Sequence, residues 1–268
     1  MTPLLLALAA SLAWGVGDFV GPLVSRTLGA LPVLFWAQVG GVASIAIAVA
    51  VRGGEPTGWG VLYAIGAAFG GMLGLAAYYR GMVAGAMSVV APIAGASAVI
   101  PVVFGIATGD SPSVAQVLGV ALASVEHHEG KRRVAAGAGL ALVAACGFGF
   151  YFPWMHAAGK VDFWWASLVF RTTALLLVAS VAAGKHPPLR VRPGYLAIAC
   201  AVGIIDTAGN VSFAASSGKG LISLTAVLAS LYPVVTVLLA ASTLHERVAR
   251  LQKAGIALTL AGVVLIGI

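Results

Sequence analysis

Residues 4–24 read LLLALAASLAWGVGDFVGPLV, 21 positions with one ionisable side chain, Asp18. A helix rises about 1.5 Å per residue, and about 20 apolar residues cross the hydrocarbon of a bilayer. The run is continuous rather than alternating, which favours a helix over a barrel strand. A carboxylate in such a helix costs about 2.5–3.5 kcal/mol on insertion scales. Asp18 must therefore face protein or water. The stretch predicts a transmembrane helix that borders something polar.

The same reading extends along the chain. Ten apolar segments follow one another: Leu4–Val24, Pro32–Val51, Trp59–Tyr79, Gly85–Thr108, Pro112–Val125, Val134–Ala157, Phe163–Ala183, Gly194–Ser216, Gly220–Thr243 and Leu251–Ile268. The chain is 60% hydrophobic and 9% charged, whereas soluble domains carry about 25% charged residues. Too little polar surface exists to cover a soluble globule. The fold class is all-α membrane. Segment five is the shortest, and the basic run Lys131, Arg132 and Arg133 is expected to snorkel from it to the interface. No basic side chain precedes the first run, so it is expected to remain as a helix rather than be cleaved as a signal.

The net charge of +7 is spread over short loops, as membrane insertion demands. No basic face is interleaved with aromatics, so nucleic acid is not an expected partner. Arg52, Lys160 and Lys219 fall on the side of the termini. Arg26, Arg80, Lys131, Arg132, Arg133, Lys185, Arg190, Arg192, Arg247, Arg250 and Lys253 fall on the other. Basic loops stay in the cytoplasm. Both termini are therefore expected outside it, in a multi-pass protein of a bacterial-type inner (plasma) membrane. Cys146 and Cys200 sit in apolar segments and suggest neither a disulfide framework nor a metal site. No cofactor is implied.

The halves echo each other at an offset of about 135 residues. Trp14-Gly15 falls opposite Phe148-Gly149, Tyr78 opposite Phe213, and Gly85-Ala86-Met87-Ser88 opposite Gly220-Leu221-Ile222-Ser223. Asp110 and Gln116 fall opposite Glu246 and Gln252. Five helices is an odd number, so a second copy enters the membrane upside down. The expected organisation is a first five-helix repeat over 1–125, a basic connecting loop over 126–133, and a second, inverted repeat over 134–268. Together they would surround a central cavity, as in many secondary transporters.

Leu12-Ala13-Trp14-Gly15, the stretch Leu228-Ala229-Ser230-Leu231-Tyr232-Pro233-Val234-Val235, Leu244-His245-Glu246-Arg247 and Phe170-Arg171 occur in order along the chain. In these the chain resembles the drug/metabolite transporter superfamily, specifically its ten-helix EamA-type permeases. Gln38 stands where the first repeat of that family has an arginine, and Gly109-Asp110 where it has a glutamate-arginine turn. The resemblance implies movement of amino acids or related small metabolites, often outward. It also implies that segments five and ten lie away from the pathway.

The pathway is expected between segments one, three, four, six, eight and nine, with Trp14, Phe69, Phe148 and Tyr232 on its wall. Substrate contacts are expected from Trp14, Asp18, Tyr78, Asp206, Asn210 and Tyr232. Asp18 is the candidate proton site. Arg171 and Asp206 lie on adjacent antiparallel segments and read as a buried ion pair, or alternatively as a tuned proton carrier. Asn210 shares a face with Asp206 and reads as a substrate contact or as interhelical glue. Pro92, Pro101 and Pro233 each remove a backbone hydrogen bond and are candidate gating kinks. Gly66, Gly70 and Gly74 form a close-packing stripe. Trp59, Trp154, Trp164 and Trp165 are expected to anchor at the interfaces.

The leading expectation is a secondary transporter of small amphiphilic solutes working by alternating access, as monomer or homodimer. Neither an ATP-binding loop nor a hydrolase motif occurs. An intramembrane enzyme and a facilitative channel are the rival classes. No catalytic residue is assigned.

Overall fold

Eight of the ten apolar segments are seen in the computed structural model, which describes residues 2–84, 87–111, 113 and 134–244. Segments five and ten, the 126–133 loop and His245-Glu246-Arg247 lie outside the described residues. The helices are α1 (Thr2–Leu28), α2 (Ala30–Arg52), α3 (Gly58–Ala84), α4 (Met87–Gly95), α5 (Val99–Ala107), α6 (Val134–Lys185), α7 (Pro193–Lys219), α8 (Ile222–Ala229) and α9 (Tyr232–Thr243). A 3₁₀ turn over Ala96–Ala98 joins α4 to α5.

The bundle shows its apolar side outward. Leu12, Ile47, Phe69 and Leu176 are each more than half exposed. Exposed apolar surface on this scale calls for lipid. Among the described residues, six helices are long and apolar enough to cross a membrane. In such a bundle lipid and protein interior are equally apolar, so close packing holds the helices together. The glycine stripe of α3 shows how. Methyl groups at Gly66 and Gly74 would run into Trp154 and Phe148, and one at Gly70 into the backbone at Gly147. The two helices therefore press together along their length, and α3 packs chiefly on α6. Helices α1 and α2 both pack on α7. At the α2–α7 crossing Gly203 meets the carbonyl of Ala37 with no room for a methyl.

Four expected spans differ in detail. Segments six and seven form one run, α6, in which Asp162 alone leaves helical geometry, at φ −161° and ψ 109°. Its carboxylate accepts the backbone N–H groups of Trp164 and Trp165 at 2.9 and 3.2 Å. This side-chain cap starts 163–185 one residue after 134–161 ends. Segments four and nine, expected as continuous spans, are each broken. The breaks lie at 96–98 and at 230–231, immediately before Pro101 and Pro233. A proline has no N–H for the carbonyl one turn back and its ring clashes there. The chain therefore tightens or unwinds just ahead of it. Pro92 lies within α4, but its side chain is outside the described residues. Pro22 and Pro153 are carried inside α1 and α6 without a break.

Contacts at the helix ends define two faces. Arg52 pairs with Asp162 at 2.7 Å, Ser216 donates to the carbonyl of Pro3 at 2.6 Å, and Asp110 accepts from the N–H and hydroxyl of Ser223 at 2.8 and 2.7 Å. These ends form one face, here the Arg52 face. Beneath it Ala7, Ala98, Leu224, Val227, Leu228 and Leu231 pack as an apolar cluster. The ends of α1, α3 and α6 meet at the opposite, Lys185 face. There the indole N–H of Trp36 donates to the carbonyl of Leu189 at 2.8 Å and ties the α6–α7 connection to α2.

The expected aromatic anchors divide. Trp59 is exposed at the start of α3. Trp154 instead lies over Gly66, turned into the helix contact by the space that glycine leaves.

Asp162→Ala should lower stability by about 0.5–2 kcal/mol through loss of the cap, whereas Asp162→Asn should keep most of it. Arg52→Ala should cost under about 1 kcal/mol, because its partner is a half-exposed ion pair. Thermal unfolding of the intact protein in detergent would rank the three.

Candidate functional site

One central cavity gathers most of the polar side chains the sequence singled out. It is bordered by Trp14 and Asp18 of α1, Gln38 of α2, Met72 of α3, Phe148 and Tyr151 of α6, Arg171 farther along α6, Asp206 and Asn210 of α7, and Tyr232 of α9. Its space for the centres of water-sized molecules is about 50 Å³. One water needs about 10–15 Å³ by that measure. The cavity thus has room for a few waters, and a metabolite would need it to widen.

Arg171 organises the polar half. It is 1% exposed, near the middle of 163–185. One terminal nitrogen lies 2.5 Å from Oδ2 of Asp206. The other donates to Oε1 of Gln38 at 3.0 Å. The guanidinium carbon stands 5.5 Å from the centre of the Phe170 ring, within cation–π range. Gln38 in turn donates to the sulfur of Met72 at 3.6 Å. Four helices therefore meet through one cation and its acceptors.

Trp14 organises the aromatic half. Its indole N–H donates to Oδ1 of Asn210 at 3.0 Å, and the hydroxyl of Tyr151 donates to the same oxygen at 3.3 Å. The amide nitrogen of Asn210 is buried and without a hydrogen bond among the described residues. The rings of Tyr151, Phe152, Phe213 and Tyr232 surround Trp14 with centroids 5.9–6.5 Å away. Most meet it edge-on, as ring quadrupoles favour.

Asp18 is the exception to this pairing. It is 6% exposed and borders the cavity. The ion pairs among the described residues are Arg52–Asp162 and Arg171–Asp206, and no described side chain hydrogen-bonds to Asp18. It shares the cavity with Asp206. The cavity thus carries two carboxylates against one guanidinium.

Of the six expected substrate contacts, five border this cavity. Tyr78 does not; it is fully buried beside it, with its ring against Phe148 and Tyr232 at 5.9 and 6.3 Å. Phe69, expected on the wall, faces outward and is 57% exposed. It lies two positions before Gly71, whose face touches Tyr151 and Phe170; that offset turns Phe69 to the far side of α3. Segment four supplies no lining residue among those described, while segments two and seven do, through Gln38 and Arg171. Sequence reasoning missed Gln38 and Tyr151. Gln38 could have been found as the lone amide in its apolar segment. Tyr151 gave no such signal.

The sequence of the EamA-like transporter family matches the chain twice, over residues 1–125 and 135–268. No curated protein matches it in sequence. Among solved structures, one titled only as the crystal structure of a protein has 17% identity, covers 100% of this chain and 99% of its own, and superposes with a TM-score of 0.77. That likeness concerns the fold.

Removing one partner of a buried ion pair costs about 3–5 kcal/mol, because the other charge is stranded. Arg171→Met should therefore destabilise the folded protein by that order. Arg171→Met with Asp206→Leu should recover most of the loss. Denaturation of the single and double variants in detergent checks both.

Proposed function

The chain belongs to the EamA-like transporter family, membrane transporters of the drug/metabolite superfamily and not enzymes, and from that premise we propose that it exports amino acids or related small amphiphilic metabolites by alternating access coupled to protons. The observation that carries this reading is Asp18: a buried carboxylate, without a described cation, on an aromatic cavity. An ammonium group is the natural complement to it. The rings of Trp14, Tyr151 and Tyr232 suit both an apolar body and the face of a cation. A phosphate ester suits the site poorly, because the one guanidinium there is already engaged by Asp206 and Gln38.

Proton coupling follows from the same carboxylate. Asp18 can be neutralised by a proton or by a substrate ammonium. If the two compete for one acid, binding of either releases the other, and a proton gradient drives the exchange. Alternating access is supported by the small volume of the cavity and by the helix breaks before Pro101 and Pro233, where the chain can bend at little cost. A path this narrow favours a carrier over an open channel.

In this reading 1–125 and 134–268 form two inverted five-helix repeats, ten helices in all, joined by the 126–133 loop. The basic residues of the Lys185 face support a cytoplasmic position for it in a bacterial-type inner membrane, with both termini outside.

Asp18→Asn should abolish pH-driven accumulation of amino acids in proteoliposomes while the protein still inserts and unfolds at a similar temperature. Transport with unchanged proton dependence would remove Asp18 from the coupling mechanism.

A further inference from the structure

A second recess opens at the Lys185 face. It offers about 450 Å³ to water-sized molecules and is bordered by Ser25 and Leu28 of α1, the Gly29 turn, Leu31 and Pro32 of α2, Arg80 and Val83 of α3, and Lys185 with the prolines that follow it. Its walls are mostly apolar. Its charges are Arg80 and Lys185, both exposed, and neither forms an ion pair among the described residues. Among the described residues, no carboxylate borders it.

The recess lies in line with the central cavity. On α1, Ser25 is seven residues beyond Asp18. On α2, Leu31 is seven residues before Gln38. On α3, Val83 is eleven beyond Met72, and on α6 Lys185 is fourteen beyond Arg171. At 3.6 residues per turn each spacing is close to a whole number of turns. Four helices thus turn the same stripe first to the cavity and then to the recess, about 10 Å farther along α1. Between the two levels stands Tyr79, buried, with its hydroxyl end seated against Gly21 where no methyl would fit. Toward the opposite, Arg52 face lies the apolar cluster of Leu224, Leu228 and Leu231.

We propose that this recess is an antechamber that takes the carboxylate of an amphiphilic solute on Arg80 and Lys185, with Tyr79 as the barrier between it and Asp18. The inference rests on the transport reading and deepens it: the solute carries an anionic group as well as an ammonium, and the two are received at different depths. Arg80 directly follows Tyr79 on α3, so an anion drawn to Arg80 acts on the residue beside the barrier. The physical basis is focusing. A basic recess with low-dielectric walls raises the local concentration of anions by about tenfold or more.

The test reads the recess without a known solute. Val83→Cys is introduced into the otherwise intact protein with Cys146→Ala and Cys200→Ala, and Gly194→Cys serves as a control at an exposed site of the same face. Both are reconstituted in phosphatidylcholine vesicles and labelled from the Lys185 face with anionic and cationic methanethiosulfonates. The anion-to-cation rate ratio should be about tenfold or more higher at position 83 than at 194, and Arg80→Gln with Lys185→Gln should bring it down to the control. Millimolar benzoate should slow labelling at 83, and benzamide should not. Equal ratios at the two positions overturn the proposal. Protection by added phosphatidylglycerol in place of benzoate also overturns it, since the recess is then a lipid seat. In a Met72→Cys background, Tyr79→Ala should speed labelling from the same face; no change removes Tyr79 as the barrier. A protein that passes these labelling tests but moves no amino acid refutes the transport reading and leaves the recess standing; the reverse result refutes the recess alone.

Discussion

A guanidinium in the interior of a membrane protein must be answered by protein, because the surrounding hydrocarbon offers nothing. Arg171 imposes that constraint here. Its acceptors come from α2 and α7, and its flat face lies on its own neighbour Phe170. To satisfy it, α2 and α7 must approach within side-chain reach, which the absent side chain of Gly203 against Ala37 allows. The cavity wall, the place of Gln38 and the orientation of Met72 follow from that one requirement. The aromatic half is built differently. There Asn210 is the hub, and Trp14 and Tyr151 aim their polar edges at its oxygen while their rings fill the space.

These two halves leave Asp18 between them. Every other charged side chain bordering the cavity has its partner inside the fold. The polar groups that are paired hold the architecture, and the carboxylate that is not is the one with chemistry to spare. Asymmetry along the bundle axis gives this a direction. Toward the Arg52 face lie the apolar cluster around Leu228 and the latch of Asp110 on Ser223; at the Lys185 face lies a basic recess.

How much of this the residues disclose beforehand depends on what hydropathy can report. It finds spans, because crossing hydrocarbon demands a long apolar run. Arg171 and Asp206 could be paired in advance, since ionisable groups in neighbouring antiparallel helices have few alternatives. Hydropathy does not say which side of a span faces the interior, because lipid and packed protein are equally apolar. Phe69 and Phe148 read alike for that reason, yet one faces outward and the other borders the cavity. Tyr151 was illegible for the same reason. Gln38 reads as a departure from a family pattern, and only the fold turns it into a partner for Arg171. The prolines were informative about where segments four and nine break, because a missing N–H has a local consequence. They were silent for Pro22 and Pro153, which α1 and α6 carry without a break.

The joint at Asp162 has one more consequence. A connection of a single extended residue, locked by its own cap and pinned to Arg52, has no slack. Tilts of the two long helices it joins are therefore coupled. Any rocking of the first is delivered to the second as torque at that corner, in the manner of a crank, and Arg171 rides on the driven arm.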